Sequence, residues 1–136
     1  MSNQERTLNF KEHLNRNIVS FDFDGVMHTD VIPGTHHPIN MQDYNPTPHL
    51  QMHEKVKQEA KNNKVVIVTK RDQQDLGPVH HLIQQYNLPI NQVYATNNEH
   101  KLPTLLKLGV IRHYDDDEKL EGVLPDNGIE FIFVRP

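Results

Sequence analysis

Two carboxylates one residue apart, Asp22 and Asp24, close the apolar run Asn17-Ile18-Val19-Ser20-Phe21 and stand directly before Gly25. In an extended chain they project to one side, and the glycine lets the backbone turn away, so both acids can face one small volume. Left bare they repel. A hard cation with a preference for oxygen, such as Mg²⁺, is the simplest means of holding them together. A strand that merely ends in a solvated Asp-rich turn has the same local pattern. An EF-hand loop does not, because it needs a further acid or amide at Val26, a glycine at Met27 and a glutamate near Pro33.

Those acids need a rigid support, and the chain supplies apolar segments at regular intervals. A first strand is expected over 17–23, and a second over Lys64–Thr69, whose continuous β-branched run signals burial on both faces. A short third strand falls within Pro89–Ala95, a fourth at Val110–Tyr114, and a last at Ile129–Val134. Between them the spacing predicts four helical segments. The first runs from an N-cap at Thr47 with Pro48 in the first turn through Lys61, with Leu50, Val56 and Ala60 on one side. The second runs from about Gln73 to Gln85, with Leu76, Val79, His80 and Ile83 along one face. Thr96–Glu99 leads into the third, Lys101–Leu108, which stops at Gly109, and Lys119–Leu124 makes a short helical turn.

Strands alternating with helices on short connections predict right-handed βαβ units. The expected fold is a single Rossmann-like α/β domain, a mostly parallel sheet of about five strands with helices on both faces. In such sheets ligands bind beyond the carboxyl ends of the strands. Four polar strand ends then converge: Asp22 and Asp24, Thr69, the Lys101 region, and Asp115 with Asp116.

With 136 residues there is room for one core, expected over 17–136, preceded by a polar lead-in over 1–16 with a short helix near Asn9–Asn15. The formal net charge of -4 offers no bulk attraction for nucleic acid or an anionic membrane, although a local basic groove is compatible with it. Cysteine is lacking, which excludes disulfides, a thiol nucleophile and thiolate metal sites. The polar lead-in has no signal-peptide core and no apolar run is long enough to span a bilayer, so a cytoplasmic location is expected. The 10 His are scattered, as surface residues are.

Taken in order, Phe21-Asp22-Phe23-Asp24-Gly25-Val26, the Val65–Thr69 strand with its terminal Thr, a Lys opening a late helix, and Val110–Asp116 with its acid pair resemble the haloacid dehalogenase superfamily of aspartate-nucleophile phosphatases. The resemblance spans about Asn17 to Leu124. It implies that Asp22 is a nucleophile forming an aspartyl-phosphate, and that Asp24 is the general acid and base. Thr69 and Lys101 would hold the phosphoryl oxygens, with Lys70, Arg71 and Lys107 as alternative cations and Arg71 suited to a substrate anion. Asp115 and Asp116 would complete a Mg²⁺ site with the Asp22 carboxylate and the Asp24 main-chain carbonyl. A register using Asp117 and Glu121 also matches the family spacing; the strand-proximal pair is preferred. A receiver domain combines similar residues, but needs a phospho-acceptor Asp where the third strand runs into Thr96-Asn97.

The sequence departs from the commoner family pattern in leaving no room for a cap domain. The resemblance to cap-less members implies a large substrate, such as a phosphoprotein or a nucleic-acid end, or a lid borrowed from a neighbouring subunit; a nucleotide is a further candidate. The loop Val31–Pro48 is then the available lid, and its His36-His37 could meet a phosphate or base, although paired loop histidines are more often simply exposed. The alternative to a phosphomonoesterase is a relative that binds phosphoryl groups or metal without turnover; intact Asp22 and Asp24 favour the enzyme.

Overall fold

The computed structural model describes residues 16–135; the expected lead-in helix lies outside them. Five strands form one parallel sheet: β1 (Ile18–Phe21), β2 (Lys64–Thr69), β3 (Gln92–Ala95), β4 (Val110–Asp115) and β5 (Glu130–Phe133), in the spatial order β3-β2-β1-β4-β5. Three α-helices connect them: α1 (Leu50–Glu59), α2 (Gly77–Gln85) and α3 (Leu102–Leu108). Short 3₁₀ turns lie at Gln73–Asp75, Glu118–Gly122 and Pro125–Asn127. The fold is a Rossmann-like α/β domain. No helix among the described residues is long and apolar enough to cross a membrane.

Side chains alternate across the sheet and sort into two cores. On one face Val19, Phe21, Val65, Ile67 and Tyr114 meet Met52 and Val56 of α1 and Val79 and Leu82 of α2. On the other, Val66, Val68 and Val110 meet Leu105 of α3 together with Leu120 and Leu124. β2 contributes to both, which explains its unbroken β-branched run. Burying one such side chain contributes about 1.5–3 kcal/mol.

β1 sits at the centre, paired with β2 on one side and β4 on the other. The chain winds outward from β1 to β2 and β3, then returns to start again at β4. Connections therefore diverge at the β1–β4 boundary, and a crevice opens beyond the carboxyl ends of those two strands, where open α/β sheets bind ligands.

Three local expectations shift. α1 begins at Leu50, not after Thr47, because Thr29 N–H donates to Thr47 O (3.0 Å), His49 N–H to Met27 O (3.0 Å), and Pro48 bridges to His28. Its buried side chains are Met52, His53 and Val56, and Leu50 is exposed. The second helical segment is broken: after the 3₁₀ turn, Pro78 in the first turn of α2 starts a new helix whose buried stripe is Pro78, Val79 and Leu82, leaving His80 exposed. The Lys119–Leu124 turn is 3₁₀ and starts one residue earlier, at Glu118.

α3 is only 7 residues long and carries Lys101 immediately before its first turn, so its one fully buried anchor, Leu105, should matter disproportionately. Leu105→Ala is expected to cost about 2–5 kcal/mol, read from the midpoint shift in guanidinium unfolding at unchanged slope.

Candidate functional site

Asp22 follows the last residue of β1, and its amide donates to Tyr114 O of β4 at 2.8 Å, which ties the turn to the central strand pair. Val26 and Met27 N–H then donate back to Phe23 O, at 3.2 and 2.9 Å. This tight turn needs Gly25 at φ +82°, a backbone that side chains rarely adopt. A Cβ there would also lie 2.0 Å from Asp116 Oδ2. The glycine thus serves both the turn and the close approach of an acid from the far side of the crevice.

Asp22, Asp115 and Asp116 each bring a carboxylate oxygen within 4.8 Å of the others. Lys101 Nζ lies between two of them, 2.9 Å from Asp22 Oδ1 and 2.5 Å from Asp115 Oδ2. Asp24 is held separately. Arg71 grips it with two parallel bonds, Nε to Oδ2 at 3.0 Å and Nη2 to Oδ1 at 2.8 Å, and His28 Nε2 reaches Oδ1 at 2.8 Å. His28 Nδ1 accepts the Asp30 amide at 3.0 Å, so Nε2 carries the proton and donates it to Asp24. The Arg71 guanidinium also lies over the Phe23 ring, 5.0 Å from its centroid.

The acids divide by partner. Burial raises the Asp24 carboxyl, but the bonds from His28 and Arg71 prevail and hold it below its ordinary value. Asp115 is likewise driven below the usual range, with burial overcome by Lys101 and His113. Asp22 is pushed well above its ordinary value by burial and then by Asp115, despite Lys101. Burial and Asp115 push Asp116 up to about 7. Burial alone would lower Lys101, yet Asp115 and Asp22 carry it above its usual value. His113 is held below its ordinary range by its own burial.

Both carboxylate oxygens of Asp116 are buried without a hydrogen-bond partner among the described residues. Two orphaned oxygens beside two more carboxylates fit a divalent cation with oxygen ligands. The carboxylates of Asp22, Asp115 and Asp116 can hold one. The Asp24 carboxylate is not part of that cluster, being bound to Arg71 and His28.

A cavity of about 210 Å³ opens over these groups. Asp22, Asp24, Thr69, Lys70, Arg71, Lys101 and Asp115 all line it, so seven of the residues singled out from the sequence share one space. Thr69, the last residue of β2, accepts the Arg71 amide on Oγ1 at 3.2 Å, and its hydroxyl proton has no acceptor among the described residues. Arg71 spends its remaining nitrogen, Nη1, on Met41 O (2.7 Å) and Asp75 O (3.0 Å), so every nitrogen of its guanidinium is bonded inside the protein. Asp117 lines the cavity too, while its carboxylate caps the following turn by accepting Lys119 N–H at 3.1 Å.

The loop after β1 reaches over this cavity with His36, His37, Pro38 and Met41. Asp30 Oδ2 accepts the Thr47 amide at 2.9 Å, Gln42 Nε2 donates to Asp75 Oδ1 at 2.8 Å, and Tyr44 packs against Gly77 so closely that a Cβ there would lie 2.2 Å from its hydroxyl. Sequence reasoning did not single out His28, His113, Met41, Asn98, His100 or Lys119. His113 had a readable signal, since it stands two residues before Asp115 and so shares its side of β4. His28 had none, because its bond to Asp24 depends on the turn at Gly25.

A scan of protein-family models and a search of curated proteins each gave no match. Among solved structures, two of the Pnkp1/Rnl/Hen1 RNA repair complex are similar, each with a TM-score of 0.70 and 16% identity over 88% of this chain. The chain spans 42% and 46% of the respective matched chains, less than half of either. At that identity the likeness is one of fold.

Asp116 yields a signed test. Its carboxyl titrates at about 7 in the fold against 3.8 ordinarily, so its contribution is fully present below pH 4 or so and is lost as pH rises through 7. Asp116→Asn does not titrate. In EDTA the variant's Tm should therefore exceed that of the unaltered protein by a margin that grows between pH 4 and pH 7. Saturating Mg²⁺ should reverse the order, because only the carboxylate gains a cation; thermal melts at stepped pH with and without Mg²⁺ check both signs.

Proposed function

We propose that this protein is a Mg²⁺-dependent phosphomonoester hydrolase of the haloacid dehalogenase type, without a large cap, working through an aspartyl-phosphate on Asp22. The observation that carries the reading is the clustering of Asp22, Asp115 and Asp116, with two uncompensated oxygens on Asp116, beside a cavity that Asp22, Asp115 and Lys101 line. When bound, the cation would supply charge to draw in the phosphoryl group and to offset the charge developing on it. The carboxylates of Asp22, Asp115 and Asp116, joined by the Asp24 main-chain carbonyl, are the residues to hold it.

Asp22 attacks phosphorus, forming an O–P bond as the ester P–O bond breaks. Lys101, already 2.9 Å from the Asp22 carboxylate, favours its ionised, nucleophilic form against the burial and the Asp115 charge that raise it, and stands ready to neutralise a phosphoryl oxygen. The Thr69 hydroxyl supplies a neutral donor, and Lys70 a second cation on the cavity wall. The leaving oxygen needs a proton from Asp24. Because Arg71 and His28 hold Asp24 ionised at rest, it must first take that proton from solvent, and it takes one back when water attacks the phosphorus of the intermediate. The proton balance closes over the two steps, and inorganic phosphate leaves.

Lys70, Lys119, His36, His37 and His100 surround the cavity beside apolar Pro38, Met41 and Leu120. Cations next to flat and apolar surface suit a phosphorylated polynucleotide end better than a phosphoprotein, despite the overall charge of -4. The fold likeness to a chain of an RNA repair complex is compatible with this choice.

A panel of phosphomonoesters assayed with and without Mg²⁺, including nucleotides, a phosphopeptide and a 3′-phosphorylated oligonucleotide, tests the assignment. The oligonucleotide should be released of phosphate only with Mg²⁺. Asp22→Asn should stay folded and lose turnover by at least about 10³-fold, since an amide is no nucleophile; undiminished hydrolysis would end the proposal.

Shortening the loop over 36–41 should reduce kcat/KM for the preferred substrate about tenfold more than for a generic aryl phosphate, because remote contacts are what the loop adds. Equal losses on both substrates, in a protein shown to fold by circular dichroism, would assign the loop a purely structural part.

A further inference from the structure

Ser20 and His113 take no part in the chemistry above. They are register partners on β1 and β4, and both are 0% exposed. Alternation along each strand puts them on the α3 face, among Val66, Val68, Leu105, Leu120 and Leu124. An apolar pair would fill this place without desolvation cost. A hydroxyl and an imidazole are tolerated there only because every polar atom is bonded. Ser20 Oγ lies 2.6 Å from His113 Nδ1, and His113 Nε2 lies 2.7 Å from Asp115 Oδ2. A carboxylate accepts, so Nε2 carries the proton, and in the neutral ring Nδ1 receives the Ser20 hydroxyl.

Asp115 can then be counted by its lone pairs. Oδ2 receives both Lys101 Nζ, at 2.5 Å, and His113 Nε2, which uses its two lone pairs. Oδ1 receives the Asp117 amide at 3.0 Å and keeps one.

We propose that His113, oriented by Ser20, is a positioning residue for the cation site: its bond to Asp115 Oδ2 locks the carboxylate so that Oδ1 alone, with a single lone pair, is offered to the metal. This rests on the metal-dependent reading above. Without the donor, Oδ2 regains a lone pair beside its bond to Lys101, so the carboxylate can take the cation through both oxygens, and the geometry offered to an octahedral ion is lost.

The test is Mg²⁺ binding to the full chain by calorimetry, with Mn²⁺ paramagnetic resonance as a second readout, for the unaltered protein, His113→Leu, His113→Gln and Ser20→Ala. The leucine variant should bind Mg²⁺ about 10- to 100-fold more weakly, whereas glutamine, which keeps an N–H donor, should stay within about threefold. Turnover of the leucine variant at saturating Mg²⁺ should fall by a smaller factor than its Mg²⁺ affinity. Nitrogen resonances of His113 should show the Nε2–H tautomer, and Ser20→Ala should weaken Mg²⁺ binding measurably. Equal Mg²⁺ affinity in the unaltered and leucine proteins overturns the proposal, and so do equal losses in the leucine and glutamine variants, which would mean packing alone. If the leucine variant does not fold, an Nδ1–H tautomer or an unchanged Mg²⁺ affinity in Ser20→Ala overturns it. An unaltered protein that binds neither Mg²⁺ nor Mn²⁺ overturns the metal reading and this inference with it, and is distinguished by failing before any variant is compared.

Discussion

Four carboxylates, those of Asp22, Asp24, Asp115 and Asp116, crowd the carboxyl ends of β1 and β4, and the two cations bonded among them are Lys101 and Arg71. That imbalance governs the site. Arg71 neutralises Asp24 and His28 donates to it, while Lys101 is shared between Asp22 and Asp115 and satisfies the latter more fully. The remainder falls on Asp22 and Asp116, whose carboxyls are both raised. Buried ion pairs of this kind seldom add stability, since desolvation offsets much of the attraction. Their persistence at one end of an otherwise apolar sheet marks the place as built for charge, and a divalent ion is the counterpart that the leftover oxygens fit.

Such crowding needs a scaffold that does not relax. β1 is hydrogen-bonded on both sides, both faces of the sheet are packed, and the Phe21 and Tyr114 rings stack at 4.2 Å across the β1–β4 pair. Glu59 of α1 accepts Arg112 Nε at 2.7 Å and the Tyr114 hydroxyl at 2.7 Å, tying helix to strand beneath the site. Repulsion among the acids therefore cannot be relieved by moving the strands apart. Proton uptake or a bound cation is what could relieve it, and the clustered acids offer a place for either.

Arg71 joins two parts of the molecule. One edge of its guanidinium holds Asp24, and the other holds the Met41 carbonyl of the loop over the cavity. Displacing the loop and freeing the acid are thus coupled through one planar group that bonds both. A lysine could not make this bridge, because it lacks the fixed fork.

Much of the fold was readable from residue order. Apolar runs of strand length, alternating with helical spacings and closed by Gly109 or opened by prolines, specify a parallel sheet with helices on both faces. The polar residue ending each run locates the crevice, since strand ends in such sheets align. Asp22, Thr69 and Asp115 were visible for that reason: Thr69 and Asp115 end their strands and Asp22 directly follows its own. The pairing of charges was not readable. Arg71 and Asp24 are 47 positions apart, and which of several nearby cations reaches which acid depends on distances across the sheet. The same holds for the start of α1, set by backbone bonds to Met27 and Thr29, and for His28, brought to Asp24 by the turn at Gly25. Local chemistry along the chain determined which groups are present at the strand ends; only tertiary structure decided which of them touch, because contacts between separate strands and loops leave no periodicity in the sequence.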